Sequence, residues 1–371
     1  MPELWGRHYS RAELMRRVGR LEQVAGVRHV TLGDDRGRGV RVLEFRTGSG
    51  FEFDVLVDRA FDIGRCEQSG RPLNWTSAVG IVAPSYYEPD EWGWFRAWGG
   101  GMVVTCGLDH TMNPAQDTAE HFHQPHMFET IDYGLHGRVG GLPARLTGYG
   151  ESWDGDTCVL WAQGEVRQAS VFRENLVIRR RIEARLGESR FSIHDEVENV
   201  GHSLTSHMLL YHCNVGWPAV DEGSELLIPS AATTTNPWST VAGYRTLSGP
   251  QRDFQEACFY EDVLAEPSGH VPTAVVNRGL GLGVYQVFDA HQLPSFMVWR
   301  MMGEGAYAVA LEPGTNRALS RSDLRARGQL IELAPGETRT YDLELGALQG
   351  KAEIERFAER VGQATVRPSL A

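Results

Sequence analysis

The sequence predicts an all-β protein of antiparallel strands with a helix near each end, and three observations carry that expectation. From Val27 to about residue 348, short β-branched and aromatic runs alternate with Gly/Asp/Ser turns. Leu176–Asn199 has the pattern of a long hairpin. Ser206–Asn214 (SHMLLYHCN) is apolar on both faces, as a doubly covered strand must be.

In chain order, residues 10–25 place Leu14, Val18 and Leu21 at roughly helical spacing among charges, which predicts a helix packed on the end of a sheet. Val27–Leu32, Val40–Arg46 and Phe51–Val57 then read as strands joined by Gly33–Gly39 and Gly48–Gly50 turns. In the long hairpin, a Gly187-Glu188 turn sets Ile182 opposite Ile193, Ala184 opposite Phe191 and Ile178 opposite Val197. The other face pairs Arg179 with Glu196 and Arg181 with His194. The same register puts Arg180 opposite Asp195 on the apolar face, either a structural ion pair or a catalytic one. Lys351–Val361 returns to a helical period. No Pro/Ser-rich linker and no repeat divides the chain, so the expected organisation is an N-terminal helical segment (1–26), one β domain (27–348) and a C-terminal helix and tail (349–371).

Composition excludes several function classes. The chain has 371 residues, is 42% hydrophobic and carries a formal net charge of −12 without like-charge blocks, which argues against a nucleic-acid partner. Lys351 is the only lysine and lies in the C-terminal helical stretch, so Schiff-base and P-loop chemistry have no credible residue. Cys66, Cys106, Cys158, Cys213 and Cys258 are scattered and odd in number, which suits a reducing compartment. With no apolar leader and no span-length apolar run, a soluble cytoplasmic protein without membrane contact, monomeric or homodimeric, is expected. G-x-S-x-G and H-E-x-x-H are absent, and Gly279–Gly283 (GLGLG) leads into a strand instead of a helix.

Three segments concentrate chemistry at expected strand ends, where a rigid β scaffold presents site residues. Tyr133–Arg138 (YGLHGR) carries His136 and Arg138. Tyr211–Pro218 (YHCNVGWP) carries His212, Asn214 and Trp217. Trp299–Asn316 (WRMMGEGAYAVALEPGTN) brings Glu312 from a strand, Tyr307–Leu311, to a Pro-Gly turn. A fourth cluster, Glu120, His121, His123 and His126, falls in a long loop, Asn113–Asp132. It reads either as a cleft lid, with His123 or His126 touching substrate, or as a transition-metal site through His121, His123 and His126.

LHGR, YHCN and YAVALEPGTN, in that order, resemble the site motifs of the aldose 1-epimerase (galactose mutarotase-like) superfamily, in its DUF4432 branch. VDRAFDIGR (Val57–Arg65), LNWTS (Leu73–Ser77), GGGMVVTCGLDH (Gly99–His110) and Leu293–Tyr307 extend the resemblance over roughly residues 27–348. It implies a large twisted antiparallel β-sandwich, the mutarotase-like supersandwich, with an open carbohydrate cleft on a concave sheet. It also implies Glu312 as general base, His212 as general acid and His136 as a second histidine near the ring oxygen, with no cofactor. A carboxylate and an imidazolium would divide this proton traffic and support each other's charge. Around them, Arg59, Asp62 and Arg300 are expected to clamp a hydroxylated or anionic ligand, and Trp75, Trp217 and Trp299 to stack on it. His110, Arg138 and Asn214 complete the expected substrate contacts. The expected activity is anomer interconversion of a monosaccharide. The alternatives are another epimerase, isomerase, lyase or hydrolase reaction, metal-assisted through the histidine loop, and sugar binding without catalysis.

Overall fold

Strand alternation dictates the architecture: nearly every long strand buries its odd or its even residues, and those faces meet in one core. The computed structural model describes residues 1–120, 122 and 129–368. An eight-stranded antiparallel sheet contains Arg145–Asp154, Thr157–Ala169, Asn175–Arg185, Arg190–Asn199, Thr338–Gln349, Leu282–Asp289, His270–Asn277 and Glu225–Leu227, in that spatial order. A second sheet runs Ser230–Thr235, Ala257–Val263, Ser295–Gly303, Ala306–Gly314 and Thr205–Gly216. Val104–Leu108 and Ile331–Leu333 also pair with this last strand. A five-stranded sheet over Gly26–Pro72 joins the second through an Ile63–Val103 bridge. The result is the twisted β-sandwich expected. A C-terminal helix, Gly350–Gln363, buries Ile354, Phe357 and Val361 against the eight-stranded sheet.

The long hairpin has the register read from its sequence, with Ile178↔Val197, Arg180↔Asp195 and Ile182↔Ile193. Thr205–Gly216 is buried along its whole length. The N-terminal helix is shorter than expected. Only Arg11–Met15 is α-helical, started by a Ser10/Glu13 capping box, and Leu21–Gln23 forms a separate 3-10 turn. Leu14, Val18 and Leu21 are all buried, so their spacing read burial correctly. Gly19 lowers the helical preference of the intervening chain.

Arg180 joins these three sheets. Its guanidinium donates to both Asp195 oxygens (2.8 and 2.7 Å), to Asp62 (2.8 Å) and to Thr105 Oγ1 (2.9 Å), and Tyr211 donates to Asp195 (2.6 Å). This is the structural reading of the inward pair, and it also claims Asp62, which sequence placed at the substrate. Arg180→Leu would leave two buried carboxylates facing each other without a cation. A loss of about 3–5 kcal/mol is expected in denaturant unfolding; a loss below 1 kcal/mol would show the cluster to be dispensable.

The cysteines are free, and among the described residues no helix is long and apolar enough to cross a membrane.

Candidate active site

On Thr205–Gly216, Leu209, Tyr211, Cys213 and Val215 enter the main core, while Leu210 and His212 face the opposite side. On Ala306–Gly314, Val309 and Leu311 are core, so Ala308, Ala310 and Glu312 share the face of His212. The pairings Leu210↔Gly314 and Cys213↔Leu311 therefore set His212 directly across from Glu312. His212 Nε2 lies 3.4 Å from Glu312 Oε1. Neither residue closes its strand, as the sequence had suggested. Both strands continue, through Gly216 and through Pro313-Gly314, and hold the two side chains in mid-sheet.

His136 arrives from another direction. It sits in the left-handed region (φ +59°) and is followed by Gly137 at φ +70°, where a Cβ would lie 2.4 Å from the Gly107 carbonyl oxygen. That close approach tucks the turn against Val104–Leu108. His136 Nδ1 accepts a long hydrogen bond from the Met112 amide (3.4 Å), which leaves Nε2 as the neutral ring's donor. The His136 and His212 rings meet edge to face at 5.9 Å.

Four tryptophans enclose the trio. Trp94 stacks on Trp98 (4.5 Å) and touches His136 (4.7 Å). Trp98 packs against His212 (5.0 Å), Trp75 (4.9 Å) and Trp299 (5.5 Å). The 3-10 helix Gly93–Arg96 carries Trp94, and Trp98 follows it. Sequence reading overlooked these two, although three tryptophans within EWGWFRAW were the available signal. It also overlooked Glu256, which accepts a 2.8 Å hydrogen bond from Trp299 Nε1.

The enclosure sets the electrostatics. The side chains of His212 and Glu312 are 5% and 1% exposed, so the resemblance's open cleft is covered here at the pair itself. Burial pushes His212 down to about 3 and holds His136 well below the usual imidazole range. Burial, with Glu256 adding repulsion, holds Glu312 well above the usual carboxylate range. Burial therefore favours a neutral pair with its proton on Glu312, not the ionised pair expected from sequence. Both Glu312 oxygens and His212 Nδ1 are buried without a hydrogen-bond partner among the described residues. Such groups carry a desolvation cost that a polar ligand would relieve.

The structure brings together His136, His212, Glu312, Trp75 and Trp299 of the expected set. Asn214 lies beside them, its amide donating to the Gly101 and His212 carbonyl oxygens (both 2.9 Å). His110 packs on Tyr133 and bonds Asn113 O (2.8 Å); burial lowers it to about 4. Other expected contacts are corrected. Arg59 spends its guanidinium on the carbonyls of Gly140, Val82 and Ala97. Arg300 alternates with Trp299, so it faces the core side with Phe296, Val298 and Met302 and donates to Tyr244 O (2.9 Å). Arg138 pairs with Glu174. Trp217 is 61% exposed and belongs to none of the site's ring contacts. His121, His123 and His126, with the metal alternative they carried, lie outside the described residues. Of the expected loop, Ala115–Thr118 and Thr130–Tyr133 form a two-stranded ribbon.

The decisive comparison is with protein families: a family model described as a domain of unknown function, DUF4432, matches residues 37–347. The chain belongs to the DUF4432 family. Solved structures share this family member's fold. A candidate aldose 1-epimerase from Klebsiella pneumoniae is 24% identical, with a TM-score of 0.84 and coverage of 95% of this chain and 92% of its own. A galactose mutarotase-like protein from Clostridium acetobutylicum is 10% identical, with a TM-score of 0.58 and coverage of 87% and 98%. A galactose mutarotase related enzyme from Lactobacillus acidophilus is 11% identical, with a TM-score of 0.54 and coverage of 81% and 96%. Comparison with curated proteins gave no match.

Proposed function

We propose that this DUF4432 protein is an aldose 1-epimerase-like isomerase that interconverts the anomers of a small sugar. The observation that carries the reading is the buried His212–Glu312 contact, with unpartnered acid and base atoms inside an aromatic cage. Glu312 takes the proton of the anomeric hydroxyl as the bond from C1 to the ring oxygen breaks and C1 becomes an aldehyde. His212 delivers a proton to the departing ring oxygen, with His136 beside it. Rotation about the C1–C2 bond and the reverse steps give the other anomer, and the enzyme regains its starting protonation. A neutral Glu312–His212 pair holds the same number of protons as a carboxylate–imidazolium pair. The two forms interconvert by one transfer across the 3.4 Å contact. Sugar hydroxyls that donate to the bare Glu312 oxygens would favour the ionised form. Trp75 and Trp299 offer faces to the sugar's C–H groups.

Saturation-transfer NMR on aldoses, deoxy-sugars, uronic acids and sugar phosphates tests this directly. Accelerated anomer exchange for one class, lost in His212→Asn at unchanged melting temperature, is the expected result. Absence of acceleration across the panel by the folded protein, or full activity in His212→Asn, would overturn the reading.

A further inference from the structure

The sheet face that carries Glu312 does not end there. Register continues one row across it: Glu312 faces Met297, Met297 faces Tyr260 and Tyr260 faces Thr234. Two strand spacings, about 10 Å, separate Glu312 from Tyr260. Around Tyr260 and Thr234 the face opens into a cavity of about 550 Å³, also lined by Arg317, Arg327 and Arg367.

The charges there do not balance. Asp262 pairs with Arg317 at 2.6 Å. Of the Glu261 carboxyl, also at the cavity, Oε2 is taken by Thr233 (2.7 Å) and Arg245 (3.5 Å), while Oε1 is buried without a hydrogen-bond partner among the described residues. The side chains of Arg327 and Arg367 have no ion-pair or hydrogen-bond partner among the described residues. Their backbones are nevertheless fixed. Arg327 is the C-cap of the helix Arg321–Ala326, and Arg367 follows Val366, which exchanges two hydrogen bonds with Ala265 (2.7 and 2.9 Å). An uncompensated basic lobe in a chain of net charge −12 is an electrostatic trap for an anion. Guanidinium groups match the planar and tetrahedral oxyanions of carboxylate and phosphate.

We propose that this cavity receives the acidic group of an anionic aldose whose anomeric carbon faces the Glu312–His212 pair. Arg327 and Arg367 are then specificity-determining residues, binding the phosphate or carboxylate remote from the reacting carbon. The inference rests on the acid–base reading of the Glu312–His212 pair. It adds that neutral sugars are poor substrates and that affinity weakens with rising ionic strength.

Glucose 6-phosphate, galacturonate, glucose and galactose distinguish phosphate, carboxylate and no charge. Their binding is measured by calorimetry with the wild type, Arg327→Gln, Arg367→Gln and the double variant, alongside anomer exchange by NMR. One anionic sugar is expected to bind at least about tenfold tighter than its neutral counterpart. Each exposed arginine should account for about tenfold in KM, with kcat within about twofold and neutral sugars unaffected. Equal affinity for neutral and anionic sugars, or unchanged anionic binding in the double variant at unchanged melting temperature, overturns the proposal. Arginine-dependent anionic binding without exchange would uphold this site and sink the mutarotation reading. Exchange of neutral sugars with no anionic preference would do the reverse.

Discussion

Glu312→Gln is expected to slow anomer exchange by about 10²- to 10⁴-fold while sugar binding persists. Glutamine keeps the shape of the buried side chain but cannot accept the anomeric proton or pass one to His212. The wild-type pH profile follows from the same burial. His212 is pushed down to about 3, so the free pair keeps its single shared proton well below neutrality. The acid limb of kcat/KM should therefore be absent through pH 5, with activity failing on the alkaline side as Glu312 loses its raised proton. An acid limb centred near 6.5 would mean that His212 titrates as in water. Retained activity in Glu312→Gln would remove the carboxyl from the mechanism.

His207 should make a comparable difference to stability. It is fully buried, its Nδ1 2.8 Å from Leu108 O and its Nε2 2.7 Å from Tyr341 Oη, so it ties the central strand to the opposing sheet. Burial lowers it to about 4. The sign follows from proton binding: the unfolded chain takes up a proton near 6.5, while the fold resists until about 4. The neutral contact is thus fully present above 6.5 and is progressively lost as pH falls to 4. Two and a half units correspond to about 3 kcal/mol. The wild type should lose about that much more stability than His207→Gln between pH 7 and pH 4, measured by urea unfolding. Groups shared by the two proteins cancel in this difference. Parallel curves would show that His207 is protonated in the fold.

Much of the fold was legible because strand period and cross-strand pairing are local. Leu176–Asn199 encodes its own register, since any one-residue slip would send Ile178, Ile182 and Ile193 to the charged face. The chemistry-bearing segments could be named for the same reason, as polar groups interrupting apolar strands. What remained hidden was direction. Arg300 adjoins Trp299 in sequence, yet alternation turns it to the other face. Asp62 was an attractive ligand until Arg180, 118 residues away, claimed it.

By itself, the sequence determined the all-β class, the long hairpin's register, the doubly buried central strand and the three segments that carry His136, His212 and Glu312. Tertiary structure decided that Glu312 stands across from His212, that Trp94 and Trp98 cover them, and that the pair favours its neutral form. It also gathered Arg317, Arg327 and Arg367 at one end of the same sheet face. The physical reason is one of range. Alternation and turn chemistry act over a few residues, whereas desolvation and charge pairing depend on whatever distant chain packs against a group.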